Sequence, residues 1–188
     1  MKGSTLSDNY QQIVIDPPWP VKKGGLRSVR PKQGRRLDYD TMSMSDIWAL
    51  IDTEILPLAD PTGHNIWLWE VDKYLISAEL EMEKRGYRRH ARIIWDKMNG
   101  IAPAFTLRYS HEYLVWWYKP TLLPIDKAVR GKYADILQVK SREHSRKPDE
   151  SYMLIEALYP NSNRIDIFSR EKRDGWDQWG NEVDYFAR

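Results

Sequence analysis

The 188-residue sequence contains no cysteine, only four histidines and only three phenylalanines. The lack of cysteine excludes disulfides, cysteine-ligated zinc and a thiol nucleophile. The histidines stand at none of the spacings typical of a metal site, so we expect no metal ion. Long apolar runs are also missing: none approaches the roughly twenty residues of a membrane span, and the N-terminus is not signal-like. We therefore expect a cytoplasmic protein that does not contact a membrane.

Net charge is low as well, at +2, but the charges are unevenly distributed. Seven basic residues and no acidic residue occur between Lys22 and Arg36. The stretch from Asp126 to Lys147 adds seven basic and three acidic residues, so the two segments together carry +11. Such segregation is typical of a phosphate-binding face on an otherwise acidic protein. The alternative interpretation of either segment is a solvated loop without a partner.

Tryptophan and tyrosine, in contrast, are abundant, with nine and eleven copies. Both side chains combine a large apolar body with a polar group, which suits core packing, half-exposed surfaces and flat ligands. We interpret most of the tryptophans as packing residues, Trp116 and Trp117 among them. The length and the ordinary hydrophobic content predict one domain over residues 1–188.

Strand-like and helix-like segments alternate along the chain. We predict strands at 12–15, 65–69, 91–95, 113–118, 135–139 and 164–168. Helices are predicted after a cap at Ser45, between Val71 and Gly86, and from Pro148 onward. This alternation predicts an α/β fold with a Rossmann-like sheet flanked by helices. A flexible basic loop is expected at about 21–36.

The sequence Asp16-Pro17-Pro18-Trp19 directly follows the first predicted strand. Ligands bind at strand ends in open α/β sheets, so this position favours a functional site. The Asp16 carboxylate and the Pro17 carbonyl could each accept one hydrogen from the amino group of a planar base. Trp19 could stack on that base, and the two prolines would fix the backbone. The alternative is a proline-rich turn with a buried tryptophan.

A second motif region lies near the C-terminus. The run Glu143-His144-Ser145-Arg146-Lys147-Pro148-Asp149-Glu150 precedes the third helix, and Gly175-Trp176-Asp177-Gln178-Trp179-Gly180-Asn181-Glu182 follows the last predicted strand. Together with the first motif, these runs resemble the MT-A70 family of N6-adenine methyltransferases over residues 13–183. The resemblance implies a Rossmann-like methyltransferase sandwich with a mixed sheet and a permuted motif order. It also implies methylation of the N6 amino group of adenine in nucleic acid by S-adenosylmethionine, without a metal ion.

The resemblance assigns roles to particular residues. It implies a catalytic motif of Asp16, Pro17, Pro18 and Trp19, and a donor site of Ile15, Asp16, Lys147, Asp166, Arg170, Asn181 and Glu182. In this assignment Lys147 binds the donor carboxylate and Asp166 lies near the ribose hydroxyls. The sequence departs from the family pattern in two places. The stretch 171–174 is highly charged and shorter than in some relatives. Glu70-Val71-Asp72, after the second predicted strand, is more acidic than the corresponding turn of many relatives.

The basic loop after the catalytic motif is the predicted nucleic-acid contact, because phosphate contacts orient a substrate. Its residues are Lys22, Lys23, Arg27, Arg30, Lys32, Arg35 and Arg36. We expect DNA as the substrate, as for compact relatives of bacterial or phage type; RNA is the alternative. A non-catalytic, nucleic-acid-binding partner subunit is the other alternative, and the intact motif speaks against it. The resemblance further implies a homodimer or a related partner subunit. We interpret His111, beside Glu112, as a structural or donor-site residue rather than half of an acid–base pair.

Overall fold

The computed structural model describes residues 9–20, 40–100, 107, 109–143 and 145–187. The seven basic residues predicted to bind nucleic acid, between Lys22 and Arg36, lie outside the described residues, as does His144. The described chain forms two compact units. One contains the residues up to Asp16 and from Leu58 onward, and the other is Pro17–Pro57. The single-domain assignment therefore stays a prediction.

The larger unit is built on a mixed sheet. Within the described residues it has seven strands: β1 (Gln12–Ile15), β2 (His64–Glu70), β3 (Arg88–Asp96), β4 (His111–Lys119), β5 (Ile136–Gln138), β6 (Arg164–Ile167) and β7 (Asp177–Trp179). Their order is β5-β3-β4-β2-β1-β6-β7. β4 runs antiparallel to β2 and β3, whereas the other neighbours are parallel. The predicted α/β fold with a mixed sheet is confirmed.

The central strands β1 and β2 are buried along their whole length. Their nearly continuous apolar sequences suit a sheet that is covered on both faces. Polar side chains in this interior are hydrogen-bonded to one another: the Gln12 amide oxygen accepts from Asn65 Nδ2 and Trp67 Nε1, both at 3.0 Å. These bonds remove most of the cost of burying the groups.

Among the described residues of the larger unit, two α-helices occur, α2 (Leu75–Lys84) and α3 (Asp149–Leu158). α3 begins after Pro148, and its first-turn acids Asp149 and Glu150 favour the helix N-terminus. Its buried side chains include Tyr152, Ile155 and Leu158, as the periodicity predicts. They join an aromatic core in which the rings of Trp67 and Trp116 stack at 4.4 Å. Trp116 and Trp117 are buried, which confirms their interpretation as packing residues.

The smaller unit contains α1 (Met44–Leu50), which continues as a π-helical turn over Ile51–Ile55. The cap is Ser43, not Ser45: the Ser43 hydroxyl accepts a hydrogen bond from Asp46 N at 3.1 Å. Ser43 has the extended backbone that a cap requires, whereas Ser45 already lies inside the helix. The prediction of a cap at Ser45 is therefore wrong by two residues. No helix of the described chain is long and apolar enough to cross a membrane.

β6 ends one residue earlier than predicted. Phe168 has φ +61°, which turns the chain out of the sheet and directs Ser169 and Arg170 beyond the carboxyl end of β6. Gly180 packs against this turn, where a Cβ atom would lie 3.0 Å from the Ser169 carbonyl oxygen. The close approach of two backbone segments shapes the edge of the sheet at which the candidate site lies.

Candidate active site

Asp16 is the first residue beyond β1, and its backbone N–H donates to the carbonyl of Ile167 at 3.3 Å. It therefore lies at the carboxyl ends of the parallel strands β1 and β6. Because β4 runs the other way, its first residues, His111 and Glu112, reach the same edge. This edge of an α/β sheet is where ligands bind.

Lys147 connects two of these residues. Its ammonium nitrogen lies 2.9 Å from Asp16 Oδ1 and 3.1 Å from Glu112 Oε2. The other oxygen of Glu112 accepts from the ammonium of Lys97 at 2.5 Å. Lys97, Glu112, Lys147 and Asp16 thus form a row of alternating charge, called here the charge row. All four side chains are largely buried, so the pairs are poorly screened by water.

The electrostatics of the charge row follow from burial and pairing. Burial raises the pKa of Asp16, although the positive charge of Lys147 acts against this. Burial acts in the same direction on Glu112, but Lys147 and Lys97 outweigh it and lower the pKa of that carboxyl. For Lys147, burial is outweighed by Asp16 and Glu112, so its pKa is raised. At neutral pH Lys147 is therefore an ammonium and Glu112 a carboxylate.

A pocket that is partly open to solvent lies beside the charge row. Its lining includes four residues predicted for the donor site: Asp16, Lys147, Asp166 and Arg170. Of the other described residues predicted for that site, Ile15, Asn181 and Glu182 are not among those that line this pocket. Ile15 is fully buried in the sheet, and Asn181 is exposed. Glu182 pairs with Arg170 Nε at 2.8 Å.

Asp166 is the most deeply buried carboxyl of the pocket. It lies within β6 and accepts a hydrogen bond from the Tyr152 hydroxyl at 3.0 Å. Burial raises the pKa of Asp166 to about 7, against the hydrogen bond from Tyr152, which lowers it. The negative charge of Asp16 also raises this pKa. A contact of Asp166 with ribose hydroxyls stays a prediction.

Residues 171–174, a departure from the family pattern in the sequence, contribute to the pocket wall. Glu171 forms ion pairs with Arg146 and, at 3.0 Å, with Arg173. Arg173 also pairs with Asp149 at 2.7 Å, and its guanidinium lies 3.8 Å from the ring centre of Tyr152. The charged residues of this stretch are therefore paired with one another and with neighbours in the pocket wall.

Two aromatic residues after residue 183, where the family resemblance ends, pack against Arg170. The guanidinium of Arg170 lies 3.7 Å from the ring centre of Tyr185 and 5.0 Å from that of Phe186. The Phe186 N–H donates to the Arg170 carbonyl at 3.2 Å, and Phe186 lines the pocket. Sequence reasoning missed Glu112 as a partner of Lys147, and it missed Arg173 and Phe186. The signals in the sequence were the acidic Glu112 beside His111 and the aromatic pair Tyr185-Phe186 after Glu182.

The remaining catalytic-motif residues, Pro17, Pro18 and Trp19, belong to the smaller unit. The Trp19 N–H donates to the Pro17 carbonyl at 2.8 Å, which leaves that oxygen a second lone pair. Trp19 is only 3% exposed, so its ring presents no open face in this structure. Its stacking role stays a prediction. His111 and Glu112 are consecutive in β4 and point to opposite faces, and the His111 ring contacts Tyr113. Its interpretation as a structural or donor-site residue stays a prediction.

The mixed seven-strand sheet flanked by helices, with Asp16 and Lys147 at its ligand-binding edge, is a Rossmann-like methyltransferase fold. The MT-A70 family model matches residues 10–182, and the chain belongs to the MT-A70 family. The described residues contain no group of three or more side chains that could hold a metal ion.

Named relatives share modest identity with the chain. It is 25% identical over 186 residues to the type II methyltransferase M.MunI of Mycoplasma sp, covering 93% of this chain and 78% of that protein. It is 26% identical over 179 residues to an N(6)-adenosine-methyltransferase MT-A70-like protein of Arabidopsis thaliana, covering 91% and 23%. It is 24% identical over 186 residues to the human N(6)-adenosine-methyltransferase catalytic subunit METTL3, covering 96% and 29%. The chain therefore spans about a quarter of the length of the last two.

Proposed function

We propose that this protein transfers a methyl group from S-adenosylmethionine to the N6 amino group of adenine in nucleic acid, with DNA as the favoured substrate. One observation carries the proposal: Asp16 lies at the carboxyl end of β1, largely buried and paired with Lys147, in a pocket that also holds Asp166. Membership of the MT-A70 family supports the class of reaction.

The chemistry of the pocket suits the methyl donor. S-adenosylmethionine carries a carboxylate, an ammonium and a sulfonium, so its site needs groups of both signs. The pocket offers the cations Lys147, Arg146 and Arg170 and the carboxyls Asp16, Asp166 and Glu171. We assign Lys147 to the donor carboxylate and Asp166 to the ribose hydroxyls. We assign to the adenosine part of the donor four further residues: Ile15, Arg170, Asn181 and Glu182.

When bound, the donor supplies an electrophilic methyl group on a sulfonium. The protein then has to orient the amino group rather than remove a proton from it first. Asp16 Oδ1 is held by Lys147, so we assign Oδ2 to accept one hydrogen of the amino group. The next residue in the sequence, Pro17, is assigned the other hydrogen. With both hydrogens held, the nitrogen lone pair would point at the methyl carbon, so that the new N–C bond forms as the S–C bond breaks and S-adenosylhomocysteine leaves. Asp16 would stabilise the positive charge on the nitrogen until one amino proton is lost.

RNA is the alternative substrate. A relative in Pyricularia oryzae, named an N6-methyladenosine RNA methyltransferase, is 26% identical over 203 residues, but the chain covers 48% of it. M.MunI, a type II methyltransferase, is covered over a greater share of its length, which supports an activity of that kind. A non-catalytic partner subunit is the weaker alternative, because Asp16 and Lys147 are both present and paired.

The test is methyl transfer from labelled S-adenosylmethionine to matched DNA and RNA oligonucleotides, single- and double-stranded, followed by digestion to nucleosides. Label on N6-methyldeoxyadenosine supports the proposal, and label on N6-methyladenosine selects RNA. No transfer with S-adenosylhomocysteine binding retained would select the partner-subunit alternative. No binding of S-adenosylhomocysteine would overturn the proposal.

A further inference from the structure

Lys97 is the residue after β3, and the main chain holds it on both sides. Its N–H donates to the Ser110 carbonyl at 2.9 Å, and its carbonyl accepts from the Ser141 N–H at 3.0 Å. These bonds tie Lys97 to the segment before β4 and to the segment after β5. The backbone of Lys97 is thus fixed relative to Glu112, which lies at the start of β4.

The two lysines of the charge row rest on one aromatic surface. Lys97 Nζ lies 5.2 Å from the ring centre of Trp95, and Lys147 Nζ lies 5.2 Å from that of Trp69. The two tryptophan rings contact each other edge to face, with centres 5.9 Å apart. Cation–π attraction adds to the ion pairs, so the positions of both ammonium groups are set by the buried core.

Glu112 is the link between the two lysines. One of its oxygens binds Lys97 and the other binds Lys147, so the carboxylate cannot rotate without breaking a charged hydrogen bond. Without Lys97, two carboxylates would share one ammonium in a buried site. Glu112 would lose its second anchor, and Lys147 would no longer be fixed between Glu112 and Asp16.

We propose that Lys97 is a positioning residue: by anchoring Glu112, it holds Lys147 against Asp16 at the reactive edge of the sheet. This inference rests on the proposed function. Lys97 does not line the pocket, among whose described residues Asp16 and Lys147 are the two members of the charge row. Its effect is therefore exerted through Glu112 and Lys147 and not by contact with a substrate.

The proposal predicts a change in pH dependence. Besides Lys147 and Glu112, the described groups that act on the charge of Asp16 are Arg170, Asp166 and Tyr152. All of these remain when Lys97 is replaced. Loss of its positive charge raises the pKa of Glu112 and weakens the hold of Lys147 on Asp16. The carboxylates of the charge row then become protonated at a higher pH than in the wild type.

The experiment compares wild type with Lys97→Met, Lys97→Arg and, as a matched control, Lys84→Met. Lys84 is an exposed lysine on α2 that also pairs with a glutamate, Glu81, at 2.6 Å. We would measure kcat/KM for methyl transfer across pH, and the Kd of S-adenosylhomocysteine by calorimetry at each pH. Thermal unfolding would verify that every variant is folded.

For Lys97→Met we expect the acid limb of kcat/KM to move up by about one pH unit, hence a roughly tenfold loss below it. At high pH we expect kcat/KM of the variant to return to the wild-type value. The affinity for S-adenosylhomocysteine should be weakened over the same acid range and should recover at the same pH. Lys97→Arg should restore most of both, and Lys84→Met should match wild type. A Lys97→Met profile that superimposes on wild type, or a loss that is uniform across pH, would overturn the inference.

The two proposals fail differently. A wild-type protein that neither transfers methyl groups nor binds S-adenosylhomocysteine contradicts the proposed function. A wild-type protein that binds it, with an unaltered pH dependence of binding in Lys97→Met, contradicts only the role of Lys97.

Discussion

Lys147 Nζ lies 2.9 Å from Asp16 Oδ1, and this ion pair joins the carboxyl end of β1 to the segment that precedes α3. Both side chains are largely buried, so each charge depends on the other for its stability. The same ion pair therefore stabilises the fold and positions a proposed catalytic carboxylate. The carboxylate that would orient the substrate is the one that the lysine holds in place.

Replacement of Asp16 by alanine should abolish methyl transfer, with a loss of at least about a hundredfold in kcat, because an orienting acceptor is removed from the reacting amino group. Lys147 keeps Glu112 as a partner, so the fold and much of the affinity for S-adenosylhomocysteine should remain. Turnover of labelled donor and calorimetric binding would be measured side by side. Unchanged turnover would contradict the assigned role.

Replacement of Lys147 by methionine should destabilise the protein by about 3 kcal/mol near neutral pH, because Asp16 and Glu112 would remain as buried carboxylates with less compensating charge. Both would then have raised pKa values, so the destabilisation should be smaller at pH 5 than at pH 8. Urea unfolding at the two pH values measures this. Lys147→Arg, which keeps the charge, is the control. An equal loss at both pH values would argue that packing, and not charge, is responsible.

Glu70 offers a test of pH-dependent stability away from the pocket. Burial, together with the nearby negative charge of Glu79, raises its pKa from 4.5 to about 9. The folded state therefore binds a proton that the unfolded state releases above pH 4.5, so stability falls as pH rises toward 9. Glu70→Gln removes this dependence, and it should be more stable than wild type by about 3 kcal/mol at pH 7.

The Glu70→Gln difference should vanish near pH 4, where the carboxyl is protonated in both states. Glu83→Gln, an exposed change on α2, is the matched control and should leave the pH dependence as in wild type. Chemical denaturation at several pH values provides the curves. Parallel curves for Glu70→Gln and wild type would show that Glu70 has no raised pKa in the folded protein.

Gly180→Ala should damage both stability and the pocket. The added Cβ would lie 3.0 Å from the Ser169 carbonyl oxygen and 3.2 Å from its nitrogen, which are backbone atoms with little freedom to move. We expect a loss of about 1–3 kcal/mol from overpacking and weaker binding of S-adenosylhomocysteine, since Ser169 lines the pocket. Thermal unfolding and calorimetry measure the two effects.

Gly131→Ala is the control for Gly180→Ala, because it changes the backbone freedom of a glycine without adding a steric clash. Gly131 has φ +72° but nothing within 4 Å of an added Cβ, so it should cost about 1 kcal/mol of stability without changing the Kd. A Gly180→Ala variant that binds as tightly as wild type would exclude a role of the close backbone contact in shaping the pocket.

Most of the sheet could be predicted from the sequence. A strand that is covered on both faces has a continuous apolar run, and this run can be recognised without knowing which strands lie beside it. β7 was missed: three half-buried residues at the edge of the sheet are too few for a period. Ser43 and Ser45 are both acceptable caps by composition, and only the backbone distinguishes them.

The candidate site could be predicted in part. The family resemblance assigns Asp16, Lys147, Asp166 and Arg170 to the donor site, and the fold brings them to one pocket. The link through Glu112 could not be predicted, because it depends on the pairing of β4 with β2, a contact between distant segments. The same holds for Arg173 over Tyr152, whose contact requires the turn after β6.

The reversed direction of β4 has a wider consequence. In a purely parallel sheet, only carboxyl-terminal residues of strands reach the ligand-binding edge. Here one strand brings its opening residues to that edge, and with them Glu112. Substitutions in the first residues of β4 can therefore change which charged side chains reach the ligand-binding edge of the sheet. The parallel strands that carry Asp16 and Asp166 would stay untouched.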